Sequence, residues 1–355
     1  MPCKGGTGDR LRRTAGLVTG GLLFWTPLAA TLGIVAHGAA SRGMPLIPLL
    51  LAILVFATGF TVPPARLAAV LQRPARLLAV LVLQYGPLSL LAYLLSRLPV
   101  SAAVSTGILV LGAAPSEITS GVMVLLAGGD TALGTAQMAA SLLASTVLTP
   151  ALLTLYAGGS LYVDRAGLVQ ELTLSVALPL FAAVALRGAA TRRGARAGMD
   201  ASLALWDEAV APAAFPGPGL DSFVAALDVL LPAVAALAVI VLIFIIAGTA
   251  RGVLLSGDLF ASVGECLVLN IAGYAAGRTL FRIMRAPEPA VRAAVFTTGM
   301  REFGVAATVA ATVLPAATGV TGVYGILILF TAPLLVRRYR AVDQNAGTAH
   351  PAEEP

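Results

Sequence analysis

Two short charged clusters interrupt otherwise apolar stretches of this 355-residue sequence. They lie at 115–117 and at 301–302, about half the chain apart. A charge at the centre of a bilayer costs ~2.5–3.5 kcal/mol on insertion scales, so an ionisable residue at that depth is a candidate functional group. Where a helix unwinds beside such a charge, half-helix N-termini attract anions and freed carbonyl groups coordinate cations. The two clusters therefore predict an ion or solute site inside a membrane.

The first cluster lies in an apolar stretch that Gly112 and Gly121 weaken on either side. Pro115 removes one backbone donor and clashes with the preceding turn, which predicts an unwound stretch. Unwound backbone at membrane depth is tolerated only where it lines a protected cavity. The candidate binding residues here are Pro115, Ser116, Glu117, Thr119 and Ser120. The alternative interpretation is an ordinary proline kink, with Glu117 near a helix end and reaching solvent.

The second cluster again combines hydroxyl groups, glycines and charge. Its candidate residues are Thr297, Thr298, Met300, Arg301 and Glu302. Because adjacent helical residues do not face each other, Arg301 and Glu302 need not pair, and Arg301 could reach across to Glu117. A paired buried charge is tolerable, whereas an unpaired one is severely costly. The alternative interpretation places Arg301 and Glu302 at a helix end in the headgroup region, which the apolar residues on both sides disfavour.

A third polar feature is Gln84, which lies just before Gly86 and Pro87 in another apolar stretch. Its amide group could complete the site from a neighbouring helix. A lone glutamine in a membrane helix also commonly bonds to another helix without any further role. Both interpretations stay open for Gln84.

The elements that carry these residues are predicted to be membrane helices, in an all-α integral membrane protein. The chain is 58% hydrophobic and only 11% charged, where soluble domains carry roughly 25% charged residues. A spanning helix needs ~20 mainly apolar residues. Ten stretches qualify, at 15–37, 45–62, 76–97, 101–127, 133–157, 169–187, 227–249, 258–281, 289–313 and 318–336. The fourth and ninth of these hold the two charged clusters.

Composition also excludes several classes of function. The pI is near 9.8, but the basic residues lie in short loops between apolar stretches, so nucleic acid is not an expected partner. With only two histidines, a His-based metal site is not expected. The sequence holds no HExxH, GxSxG or GxGD motif, so we predict that it is not an enzyme; an acid pair formed by Glu117 and Glu302 is the remaining argument for a membrane enzyme. The expected partners are the lipid bilayer and a small solute.

The layout predicts two inverted five-helix repeats. The boundaries are a tail at 1–14, a first repeat within 15–187, a linker at 188–226, helices 7–10 at 227–336 and a tail at 337–355; helix 6, at 169–187, begins the second repeat. With the N-terminus in the cytoplasm, cytoplasmic segments hold 18 of the Lys and Arg residues and the outer loops hold 4. We therefore expect a multi-pass protein of the cell (inner or plasma) membrane, with both termini cytoplasmic.

Three smaller expectations follow from the same layout. The linker is rich in Ala, Gly, Pro and Arg, which is typical of a flexible segment. The polar tail after Arg340 is expected to be disordered. The first apolar segment has some features of a cleaved secretory signal, but its length and Pro27 favour a retained helix.

The sequence resembles the bile acid:sodium symporter family, within the larger group that includes arsenite permeases. The similarity covers nearly all of residues 15–336 and rests on the order and spacing of short motifs. These are Gln72-Arg73-Pro74, Gln84-Tyr85, Pro115 with Ser120 and Val122-Met123, Thr149-Pro150, Leu178-Pro179-Leu180 and Gly299-Met300. The resemblance implies ten helices in a panel and a core domain, with unwound helices 4 and 9 crossing in the core.

The resemblance also implies a function. Sodium and an organic anion, either steroid-like or another carboxylate, would bind near the crossing, and one domain would rock against the other to give alternating access. Gln84 and Ser120 match sodium-ligand positions of the family, and Thr298 and Met300 complete the expected sodium ligands. No other cofactor is expected.

This chain departs from the family pattern where the charges lie. Ser116-Glu117 replaces the usual Gly-Gly, Thr297 replaces a glutamate, and Arg301-Glu302 replaces Gln-Asn. We hypothesise that the Arg301 guanidinium takes the place of one sodium ion and bonds to Glu117. Coupling would then use one sodium, a proton on Glu302, or no ion. An exporter like the arsenite permeases is the remaining alternative, although the fourth segment lacks their cysteine.

Overall fold

The computed structural model describes residues 22–61, 74–157, 163–189 and 220–348. Within these ranges the chain forms helices and no strand, apart from one isolated bridge pair. The helices are α1 (Leu22–Val35), α2 (His37–Arg42), α3 (Ile47–Thr61), α4 (Pro74–Tyr85), α5 (Pro87–Leu95), α6 (Ala102–Ala113), α7 (Ser120–Leu126), α8 (Thr131–Ala157), α9 (Arg165–Ala189), α10 (Leu220–Leu254), α11 (Leu259–Ile283), α12 (Glu288–Gly299), α13 (Phe303–Val313) and α14 (Thr318–Thr348).

Many of these helices have the length and apolar character of membrane spans. Six stretches qualify by both criteria: Pro74–Leu95, Thr131–Ala157, Arg165–Ala189, Leu230–Leu254, Leu259–Ile283 and Pro315–Gln344. Four shorter apolar helices accompany them: Trp25–Val35, Met44–Phe60, Ala102–Ala113 and Phe303–Val313. The chain is therefore a multi-pass, all-helical membrane protein. The arrangement of ten helices in two inverted repeats stays a prediction.

Both charged clusters lie where a helix is broken. The first break separates α6 from α7, and the second separates α12 from α13. Ala114 is extended, with φ −72° and ψ 152°, because the ring of Pro115 disfavours helical backbone in the residue before it. At the second break Met300 is also extended, and Glu302 caps α13 through a side-chain bond from the backbone N–H of Gly304. Each break is thus fixed by local chemistry.

The helices pack in two groups. In the first, which we call the α10 group, α1, α2 and α3 pack against α10. In the second, the crossing group, α4 to α8 pack with α11 to α14 around the two broken helices. The groups meet where α14 lies along α10, where α13 contacts α3, and at α9, which contacts both α3 and α8. The crossing of the broken helices therefore lies close to the boundary between the groups.

The described part of the C-terminal tail differs from the prediction. The tail after Arg340 is not disordered up to Thr348, because α14 continues that far. Its end is held by charged contacts: Asp343 accepts two bonds from Arg292 of α12, at 2.7 and 2.6 Å, and Arg340 donates to the carbonyl of Leu126 at 2.8 Å. The predicted tail at 1–14 and most of the 188–226 linker lie outside the described residues; from Leu220 the linker is helical.

Candidate functional site

The two broken segments pair with each other in antiparallel orientation. The backbone N–H of Glu117 donates to the carbonyl of Met300 at 2.9 Å, and the N–H of Glu302 donates to the carbonyl of Pro115 at 2.9 Å. Ser116 lies opposite Arg301 in this pairing. Unwound backbone at membrane depth must find partners inside the protein, and here each segment supplies them for the other.

This pairing sorts the side chains onto two faces. Successive side chains of extended backbone point to opposite sides, and residues directly opposite each other share a side. Ser116 and Arg301 therefore lie on one face, and Glu117 and Glu302 lie on the other. All four side chains are buried. We call the first the Arg301 face and the second the carboxylate face.

On the Arg301 face, the guanidinium group is bound by carbonyl oxygens. Arg301 Nη1 donates to the carbonyl of Ala114 and Nη2 to the carbonyl of Gln84, both at 3.1 Å. The Gln84 amide fits best with its oxygen turned to the guanidinium, where it accepts from Nη1 at 2.9 Å and from the N–H of Ser116 at 2.8 Å. Ser116 Oγ donates to the carbonyl of Thr297 at 2.6 Å. The fixed cation thus occupies a place lined by oxygen acceptors.

The hypothesis that Arg301 bonds to Glu117 is wrong in this structure. The guanidinium contacts lie on the Arg301 face, and no carboxylate of the described residues forms an ion pair with it. The physical reason is the alternation of the paired backbone, which turns Glu117 away from Arg301.

On the carboxylate face, the two glutamates are satisfied unequally. Glu302 accepts from the backbone N–H of Ile118 at 2.9 Å and from that of Gly304 at 3.2 Å. Glu117 Oε1 accepts two long bonds from Thr119, at 3.4 Å from the N–H and 3.3 Å from the hydroxyl, and the carboxyl group also lies near the N–H of Phe303 and the Glu302 carboxyl. Glu117 Oε2 is buried and has no hydrogen-bond partner among the described residues. Glu302 is therefore well stabilised, whereas Glu117 is not.

The carboxylate face is directed at the α10 group. A Cβ atom placed on Gly304 would lie 3.0 Å from Glu302 Oε1, 3.2 Å from Leu242 of α10 and 3.6 Å from Leu51 of α3. The Glu302 carboxylate is thus beside the apolar side chains of α3 and α10. Any movement between the two helix groups would change the surroundings of this carboxylate.

The other predicted site residues differ in whether they have hydrogen-bond partners within the described structure. Thr297 Oγ1 donates to Gln137 at 3.0 Å, and Thr298 Oγ1 donates to the carbonyl of Gly273 at 2.8 Å. The carbonyl of Met300 accepts from Glu117, and Ser120 Oγ is buried with no partner in the described part of the chain. Of the four predicted sodium ligands, Gln84, Thr298 and Met300 already bond within the protein, so the sodium role of this set stays a prediction.

Several residues that shape the crossing were not among the predicted site residues. With the Gln84 amide in that orientation, Ser141 Oγ of α8 accepts from the amide nitrogen at 2.9 Å, and it also accepts from the N–H of Ser116 at 3.0 Å. Tyr324 of α14 accepts from the N–H of Arg301 at 3.0 Å and donates to the carbonyl of Gly299 at 2.9 Å. Asn270 of α11 also donates to that carbonyl, at 2.8 Å. The only signal for them in the sequence is a polar residue within an apolar segment.

Replacing Tyr324 by phenylalanine is expected to destabilise the crossing. The change leaves the N–H of Arg301 without its acceptor in a buried position, which costs about 1–3 kcal/mol. The apparent melting temperature of the purified protein should fall by several degrees. Tyr93→Phe is the matched control, because the Tyr93 hydroxyl accepts only from Arg97 at an exposed position. Equal melting temperatures for the two variants would contradict this role of Tyr324.

Sequence comparisons identify the family of this chain. The Sodium Bile acid symporter family profile matches residues 48–256, which is more than half of the chain. This range includes the first broken helix and ends before the second. The chain is 24% identical over 288 residues to "Uncharacterized sodium-dependent transporter YocS" of Bacillus subtilis (strain 168), covering 81% of this chain and 80% of that protein.

A second relative is more partial. The chain is 28% identical over 160 residues to "Probable sodium/metabolite cotransporter BASS1, chloroplastic" of Arabidopsis thaliana, which covers 44% of this chain and 40% of that protein. Members of the matching family are transporters and not enzymes. The chain belongs to the Sodium Bile acid symporter family and is a multi-pass membrane transporter.

Proposed function

We propose that this protein is a secondary active transporter that moves an organic anion across the cell membrane by alternating access, coupled to sodium. The observation that carries the proposal is the antiparallel pairing of two broken helices with buried charged residues at their crossing. Discontinuous helices that meet at mid-membrane form the substrate and ion sites of many secondary transporters. The names of both relatives, which mention sodium, support the choice of coupling ion.

In this proposal the chain has ten helices in two inverted repeats, with helix 6 beginning the second repeat and both termini in the cytoplasm. The α10 group acts as the panel, and the crossing group acts as the core. Rocking of one group against the other exposes the crossing to each side of the membrane in turn. The distribution of basic residues supports the orientation.

A cavity between the two groups supports an access route. It has a volume of about 500 Å³ and lies at the end of the molecule where α6 begins. The α10 group contributes His37 and Arg251 to its lining, and the crossing group contributes Ala103 and Thr318; Asp258 lies there as well. In the proposed orientation this cavity opens to the outside, where an anionic solute would first meet the Arg251 guanidinium.

The coupling ion has two candidates, because the crossing fits a mobile cation on one face only. On the Arg301 face, the guanidinium already takes the oxygen acceptors of Gln84 and Ala114. On the carboxylate face, Glu117 Oε2 is free to bind a cation. This difference between the two faces indicates that the protein binds fewer sodium ions than the resemblance implies. A proton is the second candidate for the coupling ion. No observation favours an arsenite exporter, since the described cysteine, Cys266, lies in α11 away from the first broken helix.

Uptake by purified protein in liposomes tests the function. The labelled solutes are cholate, as a steroid carboxylate, and succinate, as a small one. We expect a sodium gradient to drive uptake of at least one solute above the level in protein-free vesicles, and collapse of the gradient to abolish it. The inactive control is Glu302→Leu, which removes the acceptor of two buried N–H groups. Uptake that is equal with the wild type and with this variant, or that ignores both sodium and proton gradients, would contradict the proposal.

A further inference from the structure

The carboxylate face holds two buried acidic side chains that interact without a cation between them. Glu117 is 1% exposed and Glu302 is 0% exposed, and their carboxyl groups are close enough for direct electrostatic interaction. Among the described residues, no Arg, Lys or His side chain forms an ion pair with either of them. Arg301, although adjacent in sequence, points to the opposite face and is satisfied by carbonyl groups.

Two like charges in this position are costly unless something compensates them. A buried carboxylate without a partner is strongly unfavourable, and two neighbouring carboxylates repel each other as well. Two backbone N–H groups and the N-terminus of α13 compensate Glu302. Glu117 has long bonds to Thr119 and weak interactions with the N–H of Phe303 and the Glu302 carboxyl, and its second oxygen forms no hydrogen bond of normal length within the described ranges. One unit of negative charge therefore lacks compensation, which calls for one monovalent cation.

We propose that Glu117 and Glu302 hold the coupling sodium ion on the carboxylate face. The site lies between the crossing and the apolar side chains of α3 and α10, and Arg301 serves as a fixed cation on the other face. The inference deepens the proposed function, on which it rests, by assigning the coupling ion to residues where this chain departs from its family.

The position of the pair explains how the cation would couple to movement. Without a cation, the charged pair favours contact with water, and therefore a separation of α3 and α10 from the crossing. With a cation bound, the one negative charge that remains is the one that the N–H groups at Glu302 compensate, so the pair can lie near Leu51 and Leu242 at lower cost. Cation binding would thus favour the state in which the two helix groups are closed around the site.

Thermal unfolding of the full-length protein in detergent, with no solute present, tests the site. The melting temperature is measured at fixed pH while sodium chloride replaces choline chloride. We expect the wild type to gain stability as the sodium concentration rises. We expect Glu117→Gln to weaken this dependence at least about tenfold in apparent affinity, because the amide cannot supply the missing charge.

Two further variants keep the test decisive. Glu265→Gln is the matched control: Glu265 is also a buried carboxylate without a partner in the described structure, but it lies in α11 outside the crossing, so at the same pH its variant should respond to sodium like the wild type. If Glu117→Gln does not fold, Thr119→Ala decides, since it removes a hydroxyl donor to Glu117 Oε1 and should shift the apparent cation affinity a few-fold.

The proposal is overturned if the sodium response survives in Glu117→Gln, or if the wild type does not respond to sodium. Where Glu117→Gln does not fold, an unchanged sodium affinity in the folded Thr119→Ala variant overturns it. Because the measurement uses no solute, it is independent of the uptake assay. A cation response with no uptake would reject the transport proposal and leave the site intact.

Discussion

The Arg301→Gln variant is expected to depend on sodium more steeply than the wild type. In the wild type, the guanidinium supplies a positive charge to the carbonyl oxygens of Gln84 and Ala114. Glutamine, the residue of the family at this position, is neutral and leaves these acceptors free for a mobile cation. We expect uptake by the variant to depend on a higher power of the sodium concentration than uptake by the wild type. Uptake by the variant should also fall at least about tenfold when sodium is removed, which corresponds to ~1.4 kcal/mol.

Arg301→Lys is the control for the loss of charge. Lysine keeps the positive charge but lacks the planar fork that allows Arg301 to bond to two carbonyl groups at once. This variant should lose stability while it keeps the sodium dependence of the wild type. The interpretation of Arg301 as a fixed cation fails if Arg301→Gln shows full uptake with unchanged ion dependence.

If the interpretation holds, the chain moves fewer ions in each cycle than a relative that has glutamine at this position. A guanidinium that is covalently part of the core cannot leave with the solute, so it contributes no electrochemical driving force. The coupling energy must then come from the remaining cation at the carboxylate face. In return, Arg301 links the second broken segment to the carbonyl groups of Ala114 and Gln84 without a bound ion.

The Gly273→Val variant is expected to disrupt the packing behind the second broken helix. A Cβ atom on Gly273 would lie 2.6 Å from the carbonyl oxygen of Thr298 and 2.7 Å from the Cα of Gly299. Both contacts are with the backbone, which cannot move without displacing the crossing. We expect a loss of at least about 3 kcal/mol, at the upper end of overpacking costs, and a melting temperature lower by roughly 10 °C.

Gly264→Val provides a matched control on the same helix. A Cβ atom at Gly264 meets nothing within 4 Å, so valine fits there without displacing other atoms. This variant should be produced and should melt like the wild type. If both valine variants behave alike, the close approach of α11 to the crossing is not what stabilises this region.

Local chemistry explains what could be predicted from the sequence. Pro115 and the glycines around both clusters locate the helix breaks, because they act on neighbouring backbone whatever the rest of the fold does. Composition and the lengths of the apolar segments predict a multi-pass helical membrane protein for a similar reason, since the bilayer acts on each segment separately. The order and spacing of short motifs predict the family, which the family match confirms.

The contacts at the crossing could not be predicted in the same way. The partner of Arg301 depends on the register in which two segments, nearly two hundred residues apart, pair with each other. A shift of one residue would turn every side chain of one segment to the other face. The contributions of Ser141, Asn270 and Tyr324 depend equally on how α8, α11 and α14 pack, and no local pattern marks these residues.

The sequence by itself determined that this protein spans a membrane, belongs to its family, and breaks two of its helices beside buried charges. These properties follow from interactions between near neighbours and from the transfer of each segment into lipid. Only the tertiary structure decided that Arg301 binds carbonyl groups, and that Glu117 and Glu302 lie together on the face toward α3 and α10. The physical reason is that the antiparallel pairing of two distant segments assigns each charge to a face.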